Sequence, residues 1–189
     1  MAKWVSRSAA LHQRSTATKL SKLPVSRCDS IVADRRLAEF VHTANAAAST
    51  PRPEALADYW WGQTPLVDGV AQETCRDFAH TGYGVSAAAH IAETSRIQGR
   101  DLYPQVADRL RAGFELHARY QLGTPMPGWL CGGQLRRELG PVTEVAYNAL
   151  HNRMHLDLPE TERLTIKQRP AGLDMFTMWE TLTHADNPA

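Results

Sequence analysis

Four side chains that can do acid–base or charge chemistry lie close together between Gln72 and Gly84. On an α-helix Glu73, Arg76, His80 and Tyr83 would share one face, because residues three or four positions apart are neighbours. The opposite face would then be the packing face, with Thr74, Phe78, Thr81 and Val85. This pattern predicts one wall of a polar cleft. A solvated helix face with one incidental salt bridge is the alternative.

Spacing also suggests what this wall could do. An arginine two helical turns before a tyrosine places a permanent cation beside the phenol and favours its phenolate form. Such a tyrosine can accept a proton from carbon or donate one to a leaving oxygen. Arg76 can in addition bind a carboxylate bidentately, with Glu73 holding it from i, i+3. Spacing thus makes Tyr83 and Arg76 candidates for acid–base and charge chemistry, with Gln72, Glu73 and His80 lining the same wall.

A second polar set follows later in the chain. Glu144, Tyr147, Asn148 and His151 stand at i, i+3, i+4 and i+7, so one helix face would carry several hydrogen-bonding groups. That arrangement suits the hydroxyls and carboxylate of a sugar, and a solvated outer helix is the alternative. His151 and His155 have a metal-clamping spacing, but no third ligand is evident, so we expect neither a metal nor a cofactor.

Tryptophans offer flat surfaces on which sugar rings could stack. Buried aromatic residues are common in helical proteins, so we expect two of the four candidates to lie in the core: Trp60, Trp61, Trp129 and Trp179. Trp129 stands in a loop rich in glycine and proline. It is therefore the predicted exposed platform for substrate.

The elements that must position these residues are helices. Apolar residues recur at helical spacing, and no alternating run typical of a strand is longer than four residues. The predicted segments are 29–48, 54–60, 70–98, 101–122, 135–155 and 161–168, followed by a closing segment at 175–184. The stretch at 135–155 is expected to be interrupted or to restart at Gly140-Pro141. Gly82 and Gly84 would each cost the long helix about 1 kcal/mol, which suggests that something packs close to its backbone. The prediction is an all-α fold of antiparallel helix hairpins.

Length, composition and charge limit which classes of protein this chain can belong to. With 189 residues, 43% hydrophobic and 22% charged, the chain reads as one soluble domain, predicted at 29–189. Residues 1–28 carry six basic residues and no acid, which reads as a disordered basic tail, with an organelle transit peptide as the alternative. No membrane span and no secretory signal is recognisable, and neither nucleic acid nor membrane is an expected partner.

Three cysteines stand far apart at positions 28, 75 and 131, with no CxxC spacing. This argues against a disulfide framework and against a zinc site, and an odd count leaves at least one free thiol. No histidine near Cys75 suggests a Cys–His nucleophile. We therefore expect Cys75 to be a packing residue.

The segment Gln-Glu-Thr-Cys-Arg-Asp-Phe-Ala-His-Thr-Gly-Tyr-Gly, with its Glu-x-x-Arg-x6-Tyr spacing, resembles a signature of alginate lyases with an (α/α) toroid fold. The segments 92–103, 114–123 and 179–188 are also similar to that family. The resemblance begins near residue 58 and is most specific in 72–103. It implies part of an incomplete (α/α) toroid.

The resemblance implies β-elimination at a uronic acid in an acidic polysaccharide. A cation or amide neutralises the C5 carboxylate, a base removes the C5 proton, and an acid protonates the leaving O4. By position, Tyr83 corresponds to the catalytic tyrosine of the family, which acts as acid and, in syn elimination, also as base. Arg76 corresponds to the arginine that supports this tyrosine and the carboxylate. Members are normally secreted or periplasmic, although no export signal is evident here.

The chain departs from the family at one point. The family also uses an Asn-His element on an earlier helix, and no such segment occurs before residue 70, where the only histidines are His12 and His42. We therefore expect this chain to match the C-terminal part of a longer toroid. Two alternatives stay open: an inert lyase fragment that at most binds sugar, and a plain α-helical interaction domain.

Overall fold

The computed structural model describes Val41, residues 59–172 and residues 177–187. Five α-helices form this part of the chain: α1 Phe78–Ile97, α2 Tyr103–Gln121, α3 Glu144–Tyr147, α4 Pro159–Gln168 and α5 Glu180–His184. A 3₁₀ turn spans Cys131–Gly133, and α3 continues as a π-helical segment, Asn148–Arg153. Within these residues the only β pairing is a single bridge between Val41 and Ala71. The predicted all-α class is confirmed.

The first long helix begins later than its periodicity predicts. Residues 72–76 form turns, and α1 starts at Phe78. The cause is Asp77, whose extended backbone and side chain cap the helix by accepting the N–H of His80 at 2.8 Å. The predicted single helix from 70 to 98 is therefore wrong at its N-terminal end. Glu73 and Arg76 lie on the preceding turns and do not share a helix face with His80 and Tyr83.

A close approach explains one of the helix glycines. A Cβ on Gly82 would lie 2.4 Å from the carbonyl oxygen of Leu139, so only glycine lets the 139–142 segment cross α1 here. The predicted close packing against the α1 backbone is confirmed at this position. The contact fixes the route of the chain between the 3₁₀ turn and α3.

The core lies among α1, α2 and the α3 segment. The helix α2 packs against α1 and α4, and α3 packs against α1, α4 and α5. The largest fully buried apolar side chains in this core are Phe78, Leu102, Tyr103, Leu110, Phe114, Leu130, Leu139, Leu150, Leu158 and Leu164. Burying an aliphatic or aromatic side chain of this size contributes about 1.5–3 kcal/mol, so these residues dominate the stability of the fold.

The helix α4 is capped by a side chain from another helix. Both oxygens of Glu115, on α2, accept backbone N–H groups, from Glu160 at 3.2 Å and from Thr161 at 2.8 Å. The Thr161 hydroxyl donates to the same carboxylate at 2.6 Å. A carboxylate at a helix N-terminus satisfies otherwise unpaired donors and complements the helix dipole. The predicted helix at 161–168 is confirmed, and this capping carboxylate lets it begin two residues earlier.

A disulfide joins Cys75 to Cys131 across 56 residues. Their Cα atoms lie 5.1 Å apart, because the loop after α2 returns to the turns before α1. The expected packing role of Cys75 and the argument against disulfides are therefore wrong. Sequence spacing could not show this pair, since a single disulfide between distant residues leaves no local signature.

The predicted basic tail at 1–28 and the predicted helix at 29–48 lie outside the described residues, apart from Val41. The same holds for all but the last two residues of the predicted helix at 54–60. The segment predicted at 135–155 is helical only from Glu144. None of the helices in the described residues has the length and apolar character needed to cross a membrane.

Candidate functional site

The N-terminus of α1 carries an Asp–His pair. Both carboxylate oxygens of Asp77 lie 2.8 Å from Nδ1 of His80. A carboxylate only accepts, so Nδ1 carries the hydrogen and Nε2 of the neutral ring holds the lone pair. The His80 side chain is 39% exposed, so the ring is partly open to solvent. Burial alone raises the pKa of Asp77, but the backbone and side-chain hydrogen bonds from His80 help to lower it overall.

Tyr83 lies one turn further along α1, on the same face as His80. The two rings meet edge to face with centroids 6.2 Å apart. A second cation, Arg136, lies close enough for its charge to interact with Asp77 and Tyr83, and its carbonyl accepts the N–H of Phe78 at 3.2 Å. Its own pKa is raised chiefly by a hydrogen bond to Glu138. An acid–base pair and a cation therefore lie together at this end of α1.

Arg76 lies on the turn that leads into the helix. Its Nη1 contacts the Glu73 carboxylate at 3.4 Å, so the predicted pairing of these two residues is confirmed. Its guanidinium also lies over the ring of Trp61, 5.6 Å from the ring centroid, as in a cation–π contact. Gln72 donates from Nε2 to the Tyr59 carbonyl at 2.8 Å and so ties the turn to the preceding segment.

A chain of buried hydrogen bonds holds this turn on α2. The N–H of Ala71 donates to Thr74 Oγ1 at 2.7 Å, and Thr74 Oγ1 lies 2.9 Å from Nε2 of His117. Nδ1 of His117 donates to the Gly113 carbonyl at 2.6 Å, so the Thr74 hydroxyl donates to Nε2. Burial lowers the pKa of His117 to about 4 and keeps the ring neutral. These hydrogen bonds thus fix the turn that carries Arg76 to α2.

The second predicted set is directed into the protein. Glu144, Tyr147 and Asn148 are 3%, 5% and 1% exposed. Glu144 pairs with Arg169, with Nη2 to Oε1 at 2.6 Å and Nε to Oε2 at 3.0 Å. Glu144, Tyr147 and Asn148 therefore do not form the open polar face that the spacing suggests. Helix periodicity shows which residues share a face, but the covering by α4, α5 and Arg169 decides whether that face meets solvent.

His151, the last residue of this polar set, contacts Tyr147 and the backbone. Its ring stacks on Tyr147 with centroids 4.9 Å apart, and Nδ1 donates to the Leu156 carbonyl at 3.1 Å. Burial and the nearby charge of Glu162 raise the pKa of Tyr147 to about 12. These contacts stabilise the α3 segment.

A buried ionic network lies near the C-terminal end of α1. Glu93 accepts from Arg153 at 2.9 and 2.5 Å, from Arg96 at 3.0 Å and from the hydroxyl of Tyr103 at 3.1 Å. Burial opposes ionisation of Glu93, but the two arginines prevail and lower its pKa to about 2. The Arg153 guanidinium also stacks over Tyr103 at 5.2 Å. With both arginines facing one carboxylate, the network is a structural crosslink between α1 and the π-helical segment.

Of the four candidate tryptophans, one is in the core. Trp60 is 4% exposed, whereas Trp61, Trp129 and Trp179 are 49%, 42% and 60% exposed. The predicted exposure of Trp129 is confirmed, and the expectation of two core tryptophans is wrong. Trp61 and Trp129 line one surface depression together with the disulfide.

Sequence reasoning missed two members of the site. Asp77 stands three residues before His80, and its position ahead of a helical run is a recognisable N-cap signal. Arg136 carries no such signal, because only the return of the chain after the 3₁₀ turn brings it to α1. No group of three His, Cys, Asp or Glu side chains suited to a metal occurs in the described part of the chain.

Comparison with models of known protein families finds no match to this chain. Searches of curated proteins and of solved structures find no similar protein either.

Proposed function

We propose that the chain is the helical part of a polysaccharide lyase that cleaves a uronate-containing polymer, alginate or a related polyuronate, by β-elimination. The observation that carries the proposal is the Asp77–His80 pair beside Tyr83. His80 presents an oriented Nε2, and the phenol stands one helical turn away. A base and an acid side by side, on a surface that also carries arginines, suit this reaction.

In the proposed reaction, Nε2 of His80 removes the C5 proton of a uronate residue. The electron pair left at C5 forms the C4–C5 double bond, the bond from C4 to O4 breaks, and the Tyr83 hydroxyl donates its proton to O4. C5 and O4 are attached to the same carbon, C4, so two rings 6.2 Å apart can serve both positions. His80 thus supplies the base that the alginate lyase family takes from its Asn-His element.

Negative charge develops on the carboxylate of the sugar as the proton leaves. The charges of Arg76 and Arg136 both act on Asp77, which holds His80, and an arginine binds a carboxylate with two parallel hydrogen bonds. Preorganised donors aimed at developing charge commonly provide the largest share of catalysis. We assign Arg136, whose charge acts on Asp77 and Tyr83, to the carboxylate of the reacting sugar, and Arg76, which lies over Trp61, to the carboxylate of a neighbouring sugar.

Two further features support the proposal. A disulfide persists in oxidising compartments, which fits a secreted or periplasmic enzyme. The helix hairpin of α1 and α2, with α3 packed on α1, is an arrangement that an (α/α) toroid would use. We therefore propose that the described helices are one part of such a toroid.

The test is an ultraviolet assay of the conjugated uronosyl product with mannuronate-rich alginate, guluronate-rich alginate and polyglucuronate. We expect absorbance to rise with at least one polymer, and Tyr83→Phe to abolish the rise. His80→Gln should lower the rate by a factor on the order of 10² or more. Tyr120→Phe, which alters a buried tyrosine of α2, is the control and should keep the activity.

A flat trace with all three polymers would contradict the lyase proposal. If the protein still bound a polyuronate in calorimetry, the inert sugar-binding fragment would be the better description. If it neither cleaved nor bound, the helical interaction domain would remain.

A further inference from the structure

A surface depression of about 250 Å³ lies between two exposed tryptophans. Trp61 and Trp129 both line it and are 49% and 42% exposed. Between them the surface is formed by residues 62–65, the disulfide and Gly132. Two indoles facing solvent across a small concave surface resemble the aromatic, concave sites that proteins use for compact organic ligands.

The two loops that form the depression are held together at several points. The side chain of Gln63 is buried, and its Nε2 donates to the carbonyls of Pro65 at 2.6 Å and Trp129 at 3.1 Å. Its Oε1 accepts the N–H of Cys131 at 2.9 Å. The Cys75–Cys131 disulfide joins the same loop to the turn before α1. These links fix the spacing of the two indoles before any ligand arrives, which reduces the entropy lost on binding.

The backbone of both loops is also committed to one conformation. Trp61 has φ of 55° and Cys131 has φ of 50°, in the left-handed region that residues with a side chain rarely adopt. Such conformations persist where surrounding contacts determine them, and they concentrate at functional sites. Here Gln63 and the disulfide supply those contacts.

The chemistry at the edge of the depression favours an acidic ligand. The guanidinium of Arg76 lies 5.6 Å from the Trp61 ring centroid and meets Glu73 only through a long 3.4 Å contact from Nη1. Arg76 does not itself line the depression, but it contacts Trp61, which does, so a carboxylate at that edge could form a shorter, bidentate pair with Arg76. Arg76 is followed directly by Asp77, which holds His80, so the depression adjoins the proposed catalytic pair along the chain.

We infer that this depression is a binding subsite for one hexuronate residue of the polymer, stacked on Trp129 and Trp61 with its carboxylate on Arg76. The inference rests on the proposed function and adds to it where the chain of the substrate runs: across the disulfide, beside the cleavage position. The size of the depression suits a single sugar ring.

The test uses calorimetry with saturated polyuronate oligosaccharides, in a Tyr83→Phe background so that the ligand stays intact. Trp129→Ala and Trp61→Ala should each weaken binding roughly tenfold, and Trp129→Phe should retain most of the affinity because it retains an aromatic face. Trp179→Ala alters an exposed tryptophan of the C-terminal region and should leave affinity unchanged. Arg76→Gln should abolish the preference for a uronate oligosaccharide over a neutral glucan oligosaccharide.

Unchanged affinity in both alanine variants, with circular dichroism showing intact helices, would overturn the subsite. So would equal losses in Trp129→Phe and Trp129→Ala. Failure of the proposed function looks different: the parent protein would bind oligosaccharide through both tryptophans yet release no unsaturated product. Conversely, cleavage with an unchanged KM in the tryptophan variants would retain the lyase and remove the subsite.

Discussion

The carboxylate of Asp77 serves His80 twice, accepting its backbone N–H at 2.8 Å and its ring Nδ1 at 2.8 Å from both oxygens. One side chain thus begins α1 and sets the tautomer of the imidazole. A hydrogen bond from Nδ1 to a carboxylate is the usual device for directing the other ring nitrogen toward a substrate. The start of the helix and the proposed base therefore depend on the same residue.

Replacing Asp77 by asparagine should separate these two roles. Asparagine caps helices about as well as aspartate, so the unfolding free energy should change by no more than about 1 kcal/mol. An uncharged amide stabilises a protonated imidazole poorly, so lyase activity should fall by a factor on the order of 10². Asp101→Asn is the matched control, because Asp101 accepts the N–H of Tyr103 at 3.0 Å near the start of α2. Equal activity in the two variants would contradict the role of the pair.

Alanine in place of Gly82 should destabilise the fold although alanine favours helices. The new Cβ would stand 2.4 Å from the Leu139 carbonyl oxygen, and such overpacking costs about 1–3 kcal/mol. Gly113→Ala on α2 is the control, since its Cβ would meet Val41 and Val85 at 3.5 Å. That change should be neutral or stabilise by up to about 1 kcal/mol. Urea unfolding of both variants measures the difference, and a stable Gly82→Ala variant would refute the close approach.

Mild acid should weaken the fold through His117. The folded protein keeps this ring neutral down to about pH 4, whereas the unfolded chain binds the proton near its ordinary value of 6.5. Acidification through this window therefore favours the unfolded state, by up to roughly 3 kcal/mol at its lower end. Burial also lowers the pKa of His184, which adds loss in the same direction.

Urea unfolding at pH 7 and pH 5 checks the contribution of His117. In His117→Gln the slope of unfolding free energy against pH should be smaller than in the parent protein, because the variant cannot titrate there. His155→Asn alters an exposed histidine at φ of 57° and should leave the slope unchanged. If His117→Gln kept the pH slope of the parent protein, His117 would not be the group that weakens the fold in mild acid.

Arg153→Met should lower the free energy of unfolding strongly, because it leaves the buried Glu93 carboxylate with only one arginine partner. The two side chains are 12% and 7% exposed, and breaking a buried pair costs about 3–5 kcal/mol, toward the lower end here because Arg96 remains. The comparison is Arg163→Met, which breaks the exposed Arg163–Glu160 pair and should cost under about 1 kcal/mol. Thermal unfolding should show a larger loss of stability for Arg153→Met than for Arg163→Met. Adding Glu93→Gln to Arg153→Met should recover part of the lost stability, because it removes the unpaired charge.

Removing the disulfide should lower both stability and sugar affinity. Opening a 56-residue separation enlarges the freedom of the unfolded chain, which corresponds to about 4 kcal/mol. Cys75→Ser with Cys131→Ser should therefore unfold at lower urea and bind polyuronate oligosaccharides more weakly. The parent protein in dithiothreitol should match the variant, and the variant itself should not respond to dithiothreitol. A variant as stable as the parent would contradict this role.

Local pattern was sufficient for the helices whose ends depend on nearby residues. The spacing of Val106, Leu110 and Phe114 predicts α2, and Pro104 near its start and Gly123 after its end agree with the observed bounds. The spacing also predicts the pairing of Glu73 with Arg76, because residues at i and i+3 come close together both on a helix and on consecutive turns. Glycine inside α1 indicated a close approach, since nothing else offsets its helix cost.

Tertiary structure decided the rest of the site. Whether Glu144 faces solvent depends on Arg169 and on the helices that cover α3, and the Cys75–Cys131 bond and the place of Arg136 depend on the path of the loop after α2. Helix periodicity is set by interactions over four residues, so it can be read along the chain. Which face is covered and which loops meet depend on contacts between residues tens of positions apart, and no spacing along the sequence encodes them.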